Sequence, residues 1–157
     1  MARVREEVEI EAPAERVWSV VHEDLKNAPK WSTNLVKAES LDENPPVRGS
    51  RIRYYVKLPG GTRELEVKQT VYSKPKRCAG VFTDGPLEGR WSYSYREAEG
   101  VTKLTYEMEF ELGGLLRLAG GMLARQYAEG IKKNMKALKR YVEAGKGPRA
   151  RPQKAAS

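Results

Sequence analysis

Apolar and charged residues alternate at the start of the chain. In "RVREEVEIE", residues 3 to 11, Val4, Val8 and Ile10 fall on one face and Arg3, Arg5, Glu7, Glu9 and Glu11 on the other. A period of two predicts a half-buried strand. The period then changes in "APAERVWSVV", where Val17, Trp18 and Val21 gather on one side behind Pro13, a residue suited to a first helical turn. This predicts a helix from about Pro13 to Val21. "HEDLKNAPKW" reads as a loop or a short second helix, broken at Pro29.

From about Leu35 to residue 112 the pattern becomes strand, turn, strand, with six strands in succession. "LVKAESL" runs into the turn cluster "DENPPVRGS". "RIRYYVKL" sets Ile52, Tyr54, Val56 and Leu58 against Arg51, Arg53, Tyr55 and Lys57. The hairpin "PGG" leads into "TRELEVKQTVYS", which puts Leu65, Val67 and Val71 on one face. "RCAGVFTD" is a short strand, and "GPLEG" is a turn flanked by Asp84 and Arg90. "RWSYSYRE" aligns Trp91, Tyr93 and Tyr95. In "VTKLTYEMEFEL", Leu104, Tyr106, Met108, Phe110 and Leu112 point one way, and Lys103, Glu107, Glu109 and Glu111 the other. The connections are too short for parallel crossovers, so the sheet is antiparallel.

The chain closes on a long amphipathic pattern from about Gly114 to Ala144. Leu115, Leu118, Met122, Tyr127, Ile131, Met135, Leu138 and Val142 form an apolar arc with lysines opposite. Glycines in its first half each cost a helix about 1 kcal/mol relative to alanine. A seven-stranded sheet with one apolar face must bury that face, and this helix is the only long amphipathic element available. The expected fold is therefore α+β: a curved antiparallel sheet around a C-terminal helix. One domain is expected over residues 1 to 144, followed by a basic, disordered tail over 145 to 157.

Charge and composition narrow the function classes. The net charge is +8, and from Lys132 onward nine basic residues face one acidic residue, so the rest of the chain is neutral. A nucleic-acid partner is not expected for the body, while the basic C terminus is the place for peripheral contact with an anionic membrane. The chain has one cysteine, Cys78, and one histidine, His22, which excludes an internal disulfide and a Cys/His metal cluster. Cys78 reads as a packing residue. No nucleotide fingerprint occurs, and no cofactor is expected. The opening residues carry no apolar leader, so a cytoplasmic location is expected. The longest apolar run, "LGGLLRLAGGMLA", is interrupted by Arg117 and falls short of the roughly 20 residues that span a bilayer.

The element order, together with "EIEAPAERVWSVV", "PKW" at 29 to 31, "LVKAESL", "RGSRIRY", "VTKLTYEMEF" and the glycine-bearing start of the last helix, resembles the SRPBCC superfamily. This is the START and birch-pollen-allergen-like helix-grip fold, including the polyketide cyclase/dehydrase and lipid-transport group. The resemblance implies a cavity between sheet and helix, opening near the N-terminal half of the helix. Gly120, Gly121 and Gly130, with Ala119 and Ala124, would keep side chains out of that space, and Gly130→Leu would then block uptake.

It further implies a hydrophobic small-molecule ligand: a lipid, polyketide, isoprenoid or aromatic. The wall residues it suggests are Trp31, Tyr54, Phe82, Trp91, Tyr93, Tyr106, Met108, Ala119, Met122, Leu123, Gln126, Tyr127 and Gly130. The alternative is a polyketide cyclase/dehydrase-like enzyme using the same cavity, for which His22, Tyr93 and Tyr106 are the proton-transfer candidates. His22 also reads as an ordinary helix-end residue. A third reading is a chaperone-type or ribosome-associated protein acting through its surface. Gln69 and Asn134 are further polar residues that could face inward, whereas Glu107, Glu109 and Glu111 read as a solvated outer face.

Overall fold

The structure is a computed structural model that describes residues 1–43, 45–58, 60–113 and 120–148. Seven strands form one sheet in the order β1-β7-β6-β5-β4-β3-β2. They are β1 (Ala2–Ile10), β2 (Leu35–Ser40), β3 (Arg51–Leu58), β4 (Gly61–Ser73), β5 (Arg77–Asp84), β6 (Leu87–Ala98) and β7 (Val101–Leu112). Every neighbouring pair is antiparallel. The first strand therefore pairs with the last, and the chain must cross from that edge to the far edge at β2. It does so through α1 (Ala14–Trp18), a wider π-turn (Ser19–Glu23) and a 3-10 helix (Leu25–Lys30) that contains Pro29. These short helices span the open side of the curled sheet at one end.

Alternation along β7 is followed without a break: Leu104, Tyr106, Met108, Phe110 and Leu112 are all buried. Their opposite neighbours meet water in ion pairs, Glu109 with Arg3 and Arg90, and Glu107 with Arg5. Along β4 the alternation fails. The register slips between Gln69 and Val71, so the residues before and after this bulge use opposite parities. Leu65, Val67 and Gln69 face inward, and after the bulge it is Tyr72 that packs on Trp18, ring centroids 5.0 Å apart. Val71 instead lies with Ala79 and Val81 on the outer side, which corrects its expected place in the core.

The turn expected over "GPLEG" is also shorter. Leu87, Glu88 and Gly89 already belong to β6, opposite Leu112, Glu111 and Phe110. Gly89 has φ +136°, and a Cβ there would collide with the Glu109 backbone carbonyl. Only glycine lets the strand continue at this point. Asp84 caps the short turn by accepting the Gly85 N–H, and Arg90 is an outer-face residue paired with Glu109.

The last helix, α2 (Gly120–Glu143), packs along β1 and β7. Leu123, Ile131, Met135, Leu138 and Val142 are buried against the sheet. Residues 114 to 119, where the helix was expected to begin, lie outside the described residues, as does the tail from residue 149. Lys146 still touches the domain, its carbonyl accepting from Arg16 Nη2 at 3.1 Å. Because α2 sits over the β1 edge, space remains between it and the strands of the opposite side.

Candidate functional site

That space is a cavity of about 120 Å³. Its floor comes from alternate, inward positions of five strands: Tyr54 and Val56 of β3, Leu65 and Val67 of β4, Phe82 of β5, Trp91 and Tyr93 of β6, and Tyr106 of β7. The period-two pleat is what delivers them to one side. Tyr127, Ile131, Asn134 and Met135 line it from α2, three and four residues apart on one helical face. The crossing helices and the loop after them close the end with Val21, His22, Leu25, Ala28, Trp31, Ser32, Asn34 and Leu35. No carboxylate, lysine or arginine lines this space among the described residues.

The polar groups on the wall fall into two sets. The first is a clamp. Asn134 Oδ1 accepts from the Thr33 N–H at 3.0 Å and the Thr33 hydroxyl at 3.3 Å, and its Nδ2 donates to Ser32 Oγ and Asn34 Oδ1, both at 3.1 Å. One buried amide thus ties the loop before β2 to α2. Asn134→Ala would leave these four groups without their partner and is expected to cost about 1–2 kcal/mol. Chemical denaturation, with faster hydrogen exchange at the Thr33 amide, would register it.

The second set is aimed at the space. Among the described residues the hydroxyls of Tyr54, Tyr93 and Tyr127 have no hydrogen-bond partner, and that of Tyr106 donates only to Met108 Sδ at 3.4 Å, a weak acceptor. Burial raises the pKa of all four, with neighbouring phenols adding to it for Tyr54, Tyr93 and Tyr106, and Tyr127 reaches about 12. They are neutral donors at any ordinary pH. The Tyr93 and Tyr106 rings lie 4.6 Å apart by centroid.

His22 is not the helix-end surface residue that its position allowed. It is buried, hydrogen-bonded through Nε2 to the Tyr95 hydroxyl at 2.7 Å, and set among Trp18, Tyr72 and Tyr93. Burial alone pulls its pKa down to about 3, so it is a neutral imidazole. The signal was its spacing of four residues from Trp18, which puts both on one helical face. Cys78 is buried, and burial pushes its thiol up to about 12, far from a reactive thiolate.

Of the expected wall residues, Trp31, Tyr54, Phe82, Trp91, Tyr93, Tyr106 and Tyr127 are brought together at the cavity. Others are placed elsewhere. Met108 is buried behind Tyr106, receiving its hydroxyl, and Leu123 is buried on α2 without reaching the space. Met122 is 70% exposed, and Gln126 is exposed too. The reason is helical phase: Met122 lies five residues before Tyr127, about 140° away around the helix. Gly130 is not itself on the wall, and a Cβ there would find only Nδ2 of the wall residue Asn34, at 4.0 Å, whereas one at Gly121 would meet open space. Ala119 lies outside the described residues. Gln69 is buried on the inner face, its Oε1 unpartnered among the described residues, but not on the cavity wall. Missed altogether were the apolar contributors Leu25, Ala28 and Leu35, from segments whose inward face no period revealed, whereas Val21, Val56, Leu65, Val67, Ile131 and Met135 lay on recognised apolar faces without being assigned to the wall.

Comparison with known proteins places this geometry. The sequence profile described as polyketide cyclase/dehydrase and lipid transport matches residues 1–143. The chain belongs to this family. Among solved structures, a protein from Thermus thermophilus is 17% identical, with 93% of this chain and all of the other covered at a TM-score of 0.77. A START superfamily protein from Mycobacterium smegmatis is 20% identical over 90% of this chain and 97% of its own, at a TM-score of 0.74. The di-domain ARO/CYC protein StfQ of the steffimycin biosynthetic pathway is 17% identical over 90% of this chain and 45% of its own, at a TM-score of 0.67. At these identities the likeness is one of fold, the helix-grip arrangement of a curled seven-stranded sheet and a C-terminal helix. No functionally curated protein matches the sequence. Membership supports hydrophobic-ligand binding or cyclisation at the level of the family. No helix among the described residues is long and apolar enough to cross a membrane.

Proposed function

We propose that this protein binds and carries an uncharged hydrophobic molecule bearing ring or carbonyl oxygens, held between the sheet and α2. One observation carries the reading: a cavity walled by aromatic rings, with three unpartnered tyrosine hydroxyls and no charged side chain among the described residues. Apolar burial, at about 25 cal/mol per Å² before entropic costs, would supply affinity. The phenols would supply orientation.

The present volume sets a further limit. About 120 Å³ is smaller than the roughly 150 Å³ apolar cavity known to admit benzene, and well below the 300–1,000 Å³ of drug-sized sites. A single small ring approaches what the space holds as it stands, and a polyketide or lipid requires side chains to withdraw. Carriage is favoured over cyclisation by the proton chemistry. His22 has its Nε2 occupied and a pKa of about 3, far from the operating range of a general acid or base. The cyclase reading would rest on Tyr93 and Tyr106 as proton donors alone. A cytoplasmic location belongs to the same reading.

A native mass spectrum of protein from its own host, set beside a denatured one, tests it. An added neutral mass that leaves on denaturation is the expected result. Empty protein that also fails to bind phenol, naphthol or a neutral polyketide mimic in titration would reject carriage.

A further inference from the structure

Cations without an ion pair among the described residues are scattered over four strands of the sheet, at Lys57, Arg63, Lys68, Arg77 and Arg96, but gather in one stripe on α2. On the sheet, Arg3 and Arg90 share Glu109, Arg5 meets Glu107, Arg51 meets Asp42 and Arg53 meets Glu66. On α2 the side chains of Arg125, Lys132, Lys133, Lys136 and Arg140 are all exposed, and none of them forms an ion pair among the described residues. Lys139 is matched, to Glu143 at 2.8 Å. At 100° and 1.5 Å per residue, the five unmatched cations fall within an arc of about 100° along roughly 22 Å of helix. Glu129 is the one acid between them. Met122, 70% exposed, stands in the same arc at its N-terminal end.

We propose that this face of α2 docks the protein on an anionic lipid surface, with the cations against headgroups and Met122 entering the interface. Unmatched lysines and arginines in a straight line face a plane of negative charge well, each adding attraction that salt screens. The exposed methionine decides between lipid and nucleic acid. An apolar side chain at the end of the stripe gains burial in a membrane interface, and nothing against a phosphodiester backbone. The cation arc also presents no aromatic ring on which a base could stack.

Co-sedimentation of the full chain with vesicles of phosphatidylcholine, alone or with one-third phosphatidylserine, tests this. Binding at low salt is expected to be at least ~10-fold tighter to the anionic vesicles and to disappear at high salt. Combining Lys132→Glu, Lys133→Glu and Lys136→Glu should remove most of it, and Met122→Asp should weaken it about threefold. Arg125→Glu with Arg140→Glu is a second, independent variant should the triple reversal lower the melting temperature. Equal binding to both vesicle types would overturn the proposal. So would loss on reversing Lys146, Arg149, Arg151 and Lys154 with no loss from the helix variants, or tighter binding to duplex DNA than to vesicles at the same salt.

Discussion

Lowering the pH from 7 to 5 is expected to destabilise the protein by about 2 kcal/mol, through one residue. His22 is held neutral by burial, with a folded-state pKa of about 3 against an ordinary value of 6.5. Above pH 6.5 neither state takes up a proton and the full stability is present. As the pH falls below that value the unfolded chain binds a proton that the folded one refuses, so stability is lost at up to ~1.4 kcal/mol per pH unit. The loss levels off once the folded-state value is reached, at roughly 4–5 kcal/mol in total, comparable to the stability of a small domain. His22 is the chain's only histidine, and side-chain carboxylates titrate mainly below pH 5, so the window between 6.5 and 5 isolates it. Denaturant melts at pH 7, 6 and 5 would show the slope. The double variant His22→Phe, Tyr95→Phe, which removes both ends of the buried hydrogen bond, should be nearly flat over that window. A wild-type curve that is equally flat would mean that the imidazole is hydrated or charged in the folded protein.

The same residue shows what the sequence could and could not disclose. Alternation placed the β7 core residues correctly because each lies on a regular pleat whose two faces see different solvents. The helical period placed Trp18 in the core, and the i+4 relation carried the same information for His22, obscured by its polar character. Where local geometry departs from the ideal, the periods fail. A bulge exchanges Val71 for Tyr72, a glycine at φ +136° extends β6 back to Leu87, and a five-residue step turns Met122 outward. The cavity itself depends on meetings between segments more than a hundred residues apart. Asn134 and its partners at Ser32, Thr33 and Asn34 are legible as polar residues, but their mutual satisfaction is a property of the assembled fold.

A pair of ligands that share a ring system and differ in charge should separate most sharply at this site, once side chains withdraw to admit the second ring. 1-Naphthol is expected to bind at least ~100-fold more tightly than 1-naphthoate at neutral pH, because burying a carboxylate without a cation costs several kcal/mol. The described wall offers only neutral groups, and His22 cannot supply the missing charge, since its pKa of about 3 keeps it unprotonated. Tyrosine hydroxyls can donate to either ligand, so they do not rescue the anion; a neutral–charged hydrogen bond recovers only about 1.5–3 kcal/mol. Replacing Tyr93 by phenylalanine should lower the affinity for naphthol about three- to tenfold and leave that for naphthalene unchanged, since only the first has an oxygen to engage the phenol. Titration calorimetry on the three ligands reads all of this. Naphthoate binding as well as naphthol would place a cation at the site in solution and remove the electrostatic basis of the selectivity. Naphthalene losing as much affinity as naphthol in Tyr93→Phe would assign the tyrosine to packing, and the hydroxyls of Tyr54, Tyr106 and Tyr127 with Trp91 Nε1, unpartnered among the described residues, would then be the remaining donors able to orient an oxygenated ring.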